Sequence, residues 1–217
     1  MKKKHKIQLL IDQGESQHLD FKFEVSDAAK IARTLVAFAN TKGGKLLIGV
    51  KDNGKISGIR SEEEYYMLEN AATRYCEPEI NFSSKEWNLD GKKVLEISIP
   101  QSHIIPHRAP DHNDKMKAYI RIDDQNILAN GIQMKIWQKG NTNKEIKFVY
   151  SNEAKKLLDL FNIHKYLSLK QIIDEINLSR YKTENLLAEL IIMKVILMDV
   201  GEHTSLFRIN ETLENDY

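Results

Sequence analysis

Four residues of this chain carry the makings of chemistry: Glu15, Asp20, Lys22 and Asp52. Asp20 and Lys22 stand two apart in the stretch His18 to Glu24, where Leu19, Phe21 and Phe23 alternate with polar residues. That is the period of a half-buried strand, so both side chains project from one face. Glu15 precedes this strand just after Gly14, and Asp52 falls where a different strand ends, in Asp52-Asn53-Gly54. Acids arriving from separate segments beside a lysine suit metal-assisted phosphodiester cleavage. The carboxylates would hold Mg²⁺ or Mn²⁺ through oxygen. The ion would activate water, and Lys22 would neutralise developing charge. The same residues also fit an amphipathic strand with a solvated face and an ordinary hairpin turn. Spacing alone favours that plainer reading.

The elements that must position these residues follow from pattern. Ser26 is placed to cap a helix whose apolar stripe runs from Ala28 through Ile31, Leu35 and Val36 to Ala39. Asn40 ends it, and Gly43-Gly44 lets the backbone reverse. Leu46 to Val50 has strand length, and Asp52-Asn53-Gly54 is turn chemistry that returns Lys55 to Ile59 as a hairpin partner. Ser61 and Glu64 form a capping box for a helix to Tyr75. Ile80 to Glu86, Lys92 to Pro100 and Ala118 to Ile122 are strands, and Asn130 to Lys139 is a helix. The expected fold is α+β, a small mixed or antiparallel sheet with flanking helices.

Two strings carry a resemblance. Glu15 to Lys22 is E-S-Q-H-L-D-F-K, and Ala37 to Val50 is A-F-A-N-T-K-G-G-K-L-L-I-G-V, followed by Asp52-Asn53-Gly54 and Gly58-Ile59. This set resembles the Schlafen-type AlbA_2 domain family, whose members show E-S-x-x-x-E-F-K, A-F-A-N-T-x-G-G, L-L-I-G-V and D-x-x-G in that order. Pro106-His107, Tyr119-x-Arg121 and Ala129 are weaker matches, and the likeness spans residues 10 to 137. The resemblance implies a nucleic-acid-binding domain. In nuclease members, three acids on this scaffold cut RNA, and by motif they fall on Glu15, Asp20 and Asp52, with Lys22 assisting. Lys22 and Arg121 are the implied nucleic-acid contacts in this domain. Asp20 departs from the usual glutamate, and Asp123 stands where the family has glycine. A phosphate loop needs G-x-x-x-x-G-K-[ST]. Around Gly44-Lys45 its first position is Ala39 and its last Leu46, so no ATP is expected.

Composition changes after Gly140, which sets expected domains at 1–140 and 141–217 with a linker over Asn141 to Lys144. Helices at Ser151 to Phe161, Ser168 to Ile176 and Ser179 to Lys194 precede a hairpin, Val195 to Asp199 and Leu206 to Ile209, turning at Gly201 to Thr204. That is the order of a winged helix-turn-helix. Ser179 would cap a recognition helix presenting Arg180, Lys182, Glu184, Asn185 and Glu189. Arg180 and Lys182 would meet phosphate or guanine, and Asn185 adenine. Residues 144–217 hold 10 Lys+Arg against 12 Asp+Glu, a net of −2. That charge suits docking or a homodimer as well as DNA.

The whole chain has 217 residues and a net charge of +1, so nucleic-acid binding would rest on local patches. Its one cysteine, Cys76, excludes an internal disulfide and fits a buried thiol. His103, His107 and His112 share one loop, but Pro106 and Pro110 bar the helix that would align them for zinc. No stretch has the length of a membrane span, and the expected location is the cytoplasm. The leading expectation is a nucleic-acid-binding regulator acting on DNA or RNA. The alternatives are a metal-dependent endoribonuclease and an oligomerisation or docking module.

Overall fold

Helix α1 (Lys6–Ile11) buries Ile7 and Ile11 against Leu19, Phe21, Leu47 and Val94, on one face of a four-stranded sheet. Strand β1 (Leu19–Lys22) follows, then helix α2 (Ala28–Ala39). The cap of α2 is Asp27 rather than Ser26. Asp27 has extended backbone, and its carboxylate accepts the Lys30 N–H at 3.1 Å. Nine of the twelve α2 residues are buried, because the helix packs between the sheet and later loops. The structure is a computed structural model describing residues 5–141, 150–201 and 204–211.

Strand β2 (Gly44–Ile48) pairs parallel to β1, with Asp20 opposite Leu46, so α2 is a crossover. The expected hairpin between Leu46 to Val50 and Lys55 to Ile59 forms only near its turn: the Lys51 N–H donates to the Lys55 carbonyl at 3.0 Å, Val50 and Ile56 bridge, and the Ser57 and Gly58 N–H groups both donate to the Gly49 carbonyl at 2.9 Å. Helix α3 (Glu63–Arg74) and the hairpin of β3 (Ser83–Leu89) and β4 (Lys92–Ile99) come next, and β4 takes the antiparallel edge of β2 instead. Gly49, at φ +90°, turns the chain away, and a Cβ there would lie 2.7 Å from the Gly58 carbonyl carbon. The sheet order is β1-β2-β4-β3, a small mixed sheet in an α+β unit. The capping box expected for α3 is also absent. Glu64 instead accepts the N–H groups of Arg60 at 2.8 Å and Val25 at 3.3 Å.

Two short hairpins complete the unit: β5 (Ala109–Pro110) with β6 (Met116–Lys117), and β7 (Tyr119–Ile122) with β8 (Gln125–Leu128). Asp123 turns the second hairpin at φ +51°, in the left-handed region that favours glycine. One amide ties these loops to the end of α2. Asn40 donates to the carbonyls of His107 and Tyr119, both at 2.9 Å, and accepts the His107 N–H at 2.8 Å. His107 is buried between the Pro78 carbonyl and the Ser102 hydroxyl, so it is an anchor of the loop. Cys76 is buried, and burial pushes its thiol up to about 12.

The second compact unit is Asn130–Tyr217, and the first is Met1–Ala129. This division falls before the boundary expected at 140, because helix α4 (Gly131–Gly140) packs within the second unit. Helices α5 (Asn152–Phe161), α6 (Leu169–Ile176) and α7 (Arg180–Ile192) follow, with β9 (Leu167–Ser168) preceding α6. Strands β10 (Ile196–Val200) and β11 (Ser205–Ile209) close the unit, with sheet order β10-β11-β9. Leu157, Ile172, Leu187, Leu190, Ile196 and Phe207 make its core. Ser151, Ser168 and Ser179 cap their helices, and Asn177 ends α6 in the left-handed region. Most of the expected linker and the tip of the hairpin, residues 202–203, lie outside the described residues. No described helix is long and apolar enough to cross a membrane.

Candidate functional site

A cleft of about 550 Å³ in the first unit gathers Glu15, Asp20, Lys22, Asp52 and Arg121. These residues come from the turn before β1, from β1 itself, from the turn after β2 and from β7. The sequence therefore pointed to residues that do meet, although they come from distant segments.

Asp20 is the buried centre. It is 3% exposed, and its Oδ1 accepts from Arg121 Nη2 at 3.0 Å. Lys22 Nζ lies 2.6 Å from Asp20 Oδ2 as an ion pair. The angle is poor for a hydrogen bond, so that buried oxygen has no true donor. The lysine instead donates to the Phe21 carbonyl at 2.8 Å. A buried carboxylate without cations would be strongly disfavoured. Here two cations compensate it.

Glu15 folds back over the strand, with its Oε1 accepting the Phe21 N–H at 2.9 Å. Burial raises its carboxyl above the ordinary value of 4.5, and the Phe21 N–H opposes that rise. The neighbouring charge of Asp20 adds to it, as two carboxylates sharing a site must. Asp52 is exposed at the cleft rim.

Arg121 differs from its expected role as a nucleic-acid contact. It is 1% exposed and is spent inside the fold. Beyond Asp20 it donates to the carbonyls of Ser16 and Leu19 and to the Asn126 side chain, and its guanidinium lies over the Phe38 ring. An incoming phosphate would find these donors taken. Arg121 is a floor residue that fixes Asp20.

The implied Mg²⁺ or Mn²⁺ can be tested against these side chains. Among the described residues, no group of three or more His, Cys, Asp and Glu is set to hold an ion. The reason lies in Asp20, whose oxygens already face Arg121 and Lys22. In this arrangement Glu15, Asp20 and Asp52 line one cleft without fitting a shared three-carboxylate ion site.

Sequence reasoning missed other lining residues. Lys30 and Arg33 reach the cleft from α2, and Asp111, His112 and Asn113 from the turn between β5 and β6. Their only trace in the sequence was the spacing of Lys30 and Arg33, which puts both on one helix face. Asp111 is occupied by its own turn. The N–H groups of Asn113 and Lys115 donate to it and hold it below the ordinary carboxylate range. The glycines of the Gly43-Gly44 turn serve packing. A Cβ on Gly43 would lie 2.7 Å from the Ile99 carbonyl oxygen, and one on Gly44 2.4 Å from the Phe38 ring.

In the second unit Arg180, Lys182 and Tyr181 are exposed at the start of α7, and Asn185 is half-buried. Glu184 is buried rather than exposed, because α4 packs against α7. Arg180 Nε sits 2.9 Å and Lys135 Nζ 3.7 Å from its carboxylate. Lys139 and Glu189 make a second ion pair between these helices at 2.9 Å, and Lys135 lies over the Tyr181 ring. Arg180 is thus engaged with its own helix, and Lys182 is the exposed cation that remains beside it.

No curated protein matches the chain. Solved structures do. It is similar to the DIP2311 protein from Corynebacterium diphtheriae at 19% identity and a TM-score of 0.46, over 76% of this chain and 31% of that one. It therefore spans about a third of that relative's length. It is also similar to the N-terminal domain of a RecG-related protein from Nitrosomonas europaea at 18% identity and a TM-score of 0.37, over 69% of this chain and 97% of that domain. The model of the Schlafen, AlbA_2 family matches residues 15–130, which is more than half of the chain and holds every residue of the cleft. The chain belongs to the Schlafen AlbA_2 family.

Proposed function

We propose that this chain binds nucleic acid and acts as a regulator at the level of DNA or RNA. One observation carries the reading. In a Schlafen AlbA_2 domain, the charged residues of the family's strings meet in one open cleft rather than scattering over the surface. Binding to mixed DNA and RNA pools across salt tests it. The expected result is affinity that falls linearly on logarithmic axes as salt rises. Absence of salt-dependent binding at low ionic strength overturns it.

The second unit supports a part in the same task. After α4, its order of helix, short strand, two helices and two strands supports a winged-helix reading, in which Lys182 and Asn185 of α7 are the candidate contacts with DNA. The net charge of −2 over residues 144–217 makes a docking surface or a homodimer the competing use. Loss of DNA affinity in Lys182→Ala, with light scattering unchanged, separates the two.

RNA cleavage at the cleft is a second reading. It is favoured by the Glu15 carboxyl, raised first by burial and further by the neighbouring charge of Asp20, which is the direction a proton-transfer group in the cleft needs. Incubation with structured RNA, with Mn²⁺ or with chelator, beside Asp52→Ala and Glu15→Gln, tests it. Equal activity in all three proteins, or none in any, counts against it.

A further inference from the structure

We infer that Lys30 and Arg33 of α2 form the phosphate-binding edge of the cleft, over which the sugar–phosphate backbone of a polynucleotide passes. The inference rests on the nucleic-acid reading above and adds to it the residues that would hold the backbone.

The two cations that the resemblance offered as nucleic-acid contacts in this domain, Lys22 and Arg121, are engaged within the protein. Lys22 is paired with Asp20 and donates to the Phe21 carbonyl. Arg121 is buried and spends its donors on Asp20, Ser16, Leu19 and Asn126. What remains for an incoming anion is on α2. Lys30 is exposed and has no ion-pair partner among the described residues. Arg33 is half-buried, and its Nη1 donates to the Pro110 carbonyl at 3.0 Å. That bond engages one of five N–H donors and fixes the side chain beside the cleft. A residue held in place in this way loses less entropy on meeting a ligand.

The spacing and the charge pattern agree. Residues three apart on a helix have Cβ atoms about 5–6 Å apart on one face. Lys30 and Arg33 therefore offer two adjacent positive charges along one line. Glu15, Asp20, Asp52, Asp111 and Asp124 line the same cleft. Phosphates are repelled by these acids and attracted by Lys30 and Arg33, so the backbone is held at the α2 edge. The acids then face the chain that passes rather than gripping it. Arginine and lysine are the residues that make such contacts in nucleic-acid complexes.

The test uses the full chain and a labelled 20-nucleotide single-stranded RNA, titrated over a range of salt. Each phosphate contact contributes about 0.7 to the slope of log K against log salt for a single strand. Lys30→Glu and Arg33→Gln are each expected to flatten the slope by about 0.7. Arg33→Lys is expected to keep it. Lys42→Glu changes net charge as Lys30→Glu does, at an exposed site that does not line the cleft, and is expected to leave the slope unaltered. Wild-type binding with an unchanged slope in Lys30→Glu overturns this inference alone. An equal loss in Lys42→Glu also overturns it, since bulk charge then explains the effect. Failure of the wild type to bind overturns the nucleic-acid reading itself, and this inference with it.

Discussion

Arg121 Nη2 lies 3.0 Å from Asp20 Oδ1, and neither residue is more than 3% exposed. The two positions are 101 residues apart in the chain. This buried pair joins the second short hairpin to the edge strand of the sheet, and it decides what the cleft floor can do.

Removing one partner of a buried pair leaves an uncompensated charge, which costs about 3–5 kcal/mol. Arg121→Gln is expected to lower stability by that order in denaturant unfolding. Asp20→Asn is expected to cost at least as much, because it leaves the buried Arg121 guanidinium without its anion, whereas Asp20 without Arg121 keeps the Lys22 ion pair. A double variant that is no worse than Arg121→Gln alone would identify the pair as the source.

Asp52 is exposed and stands outside the core. Asp52→Ala is expected to change stability by no more than about 0.5 kcal/mol, as surface substitutions usually do. Any loss of binding or cleavage in that variant is then an effect on the site. Thermal unfolding beside the activity assay checks it.

Glu15 has its carboxyl raised in the folded state, first by burial and then by Asp20 against the opposing Phe21 N–H. The folded state therefore binds the proton more tightly than the unfolded chain. The stabilisation this gives is complete below the ordinary value of 4.5 and is lost as pH rises through the raised folded value. Glu15→Gln keeps an acceptor for Phe21 and does not titrate. It is expected to flatten the stability profile across that window, and to unfold later than wild type above it. Melting temperatures measured over the acid range decide the matter.

Asp123 sits at φ +51°, a conformation that costs an ordinary L-residue about 1–2 kcal/mol and an aspartate less. Asp123→Gly is expected to stabilise the protein by up to about 1 kcal/mol. A chemical melt that shows destabilisation would mean that the Asp123 N–H bond to Gln17 Oε1, 3.1 Å long, depends on the aspartate backbone more than φ suggests.

Much of the site was legible because it is local. Asp20 and Lys22 share a strand face by period alone, and the turn at Asp52 is written in Asp-Asn-Gly. The helices of the second unit were legible for the same reason: three serines and an asparagine mark their ends. What sequence could not give was partnership across distance. Lys55 to Ile59 has strand composition, yet β4 wins the edge of β2 by offering a longer ladder and buried Leu95, Ile97 and Ile99. Arg121 looked like a surface cation, since nothing local reveals that Asp20 and two carbonyls would surround it. Glu184 looked exposed because its helix face depends on α4, which the change of composition at Gly140 assigned to the wrong side of the boundary. Nor does a lone Asp123 where the family has glycine reveal its physical content, which is the left-handed turn at φ +51°.

The 101-residue separation between Asp20 and Arg121 also bears on how the protein is made. A chain emerging from synthesis exposes Glu15 and Asp20 long before Arg121 exists. Until β7 arrives, Asp20 lacks the guanidinium that lets it be buried. The cleft floor is then among the last parts of the first unit to close. A fragment that stops short of residue 121 would carry the family's acidic string without its counter-ion. The ability to hold a passing backbone would thus be conferred only on a domain whose far end has been completed.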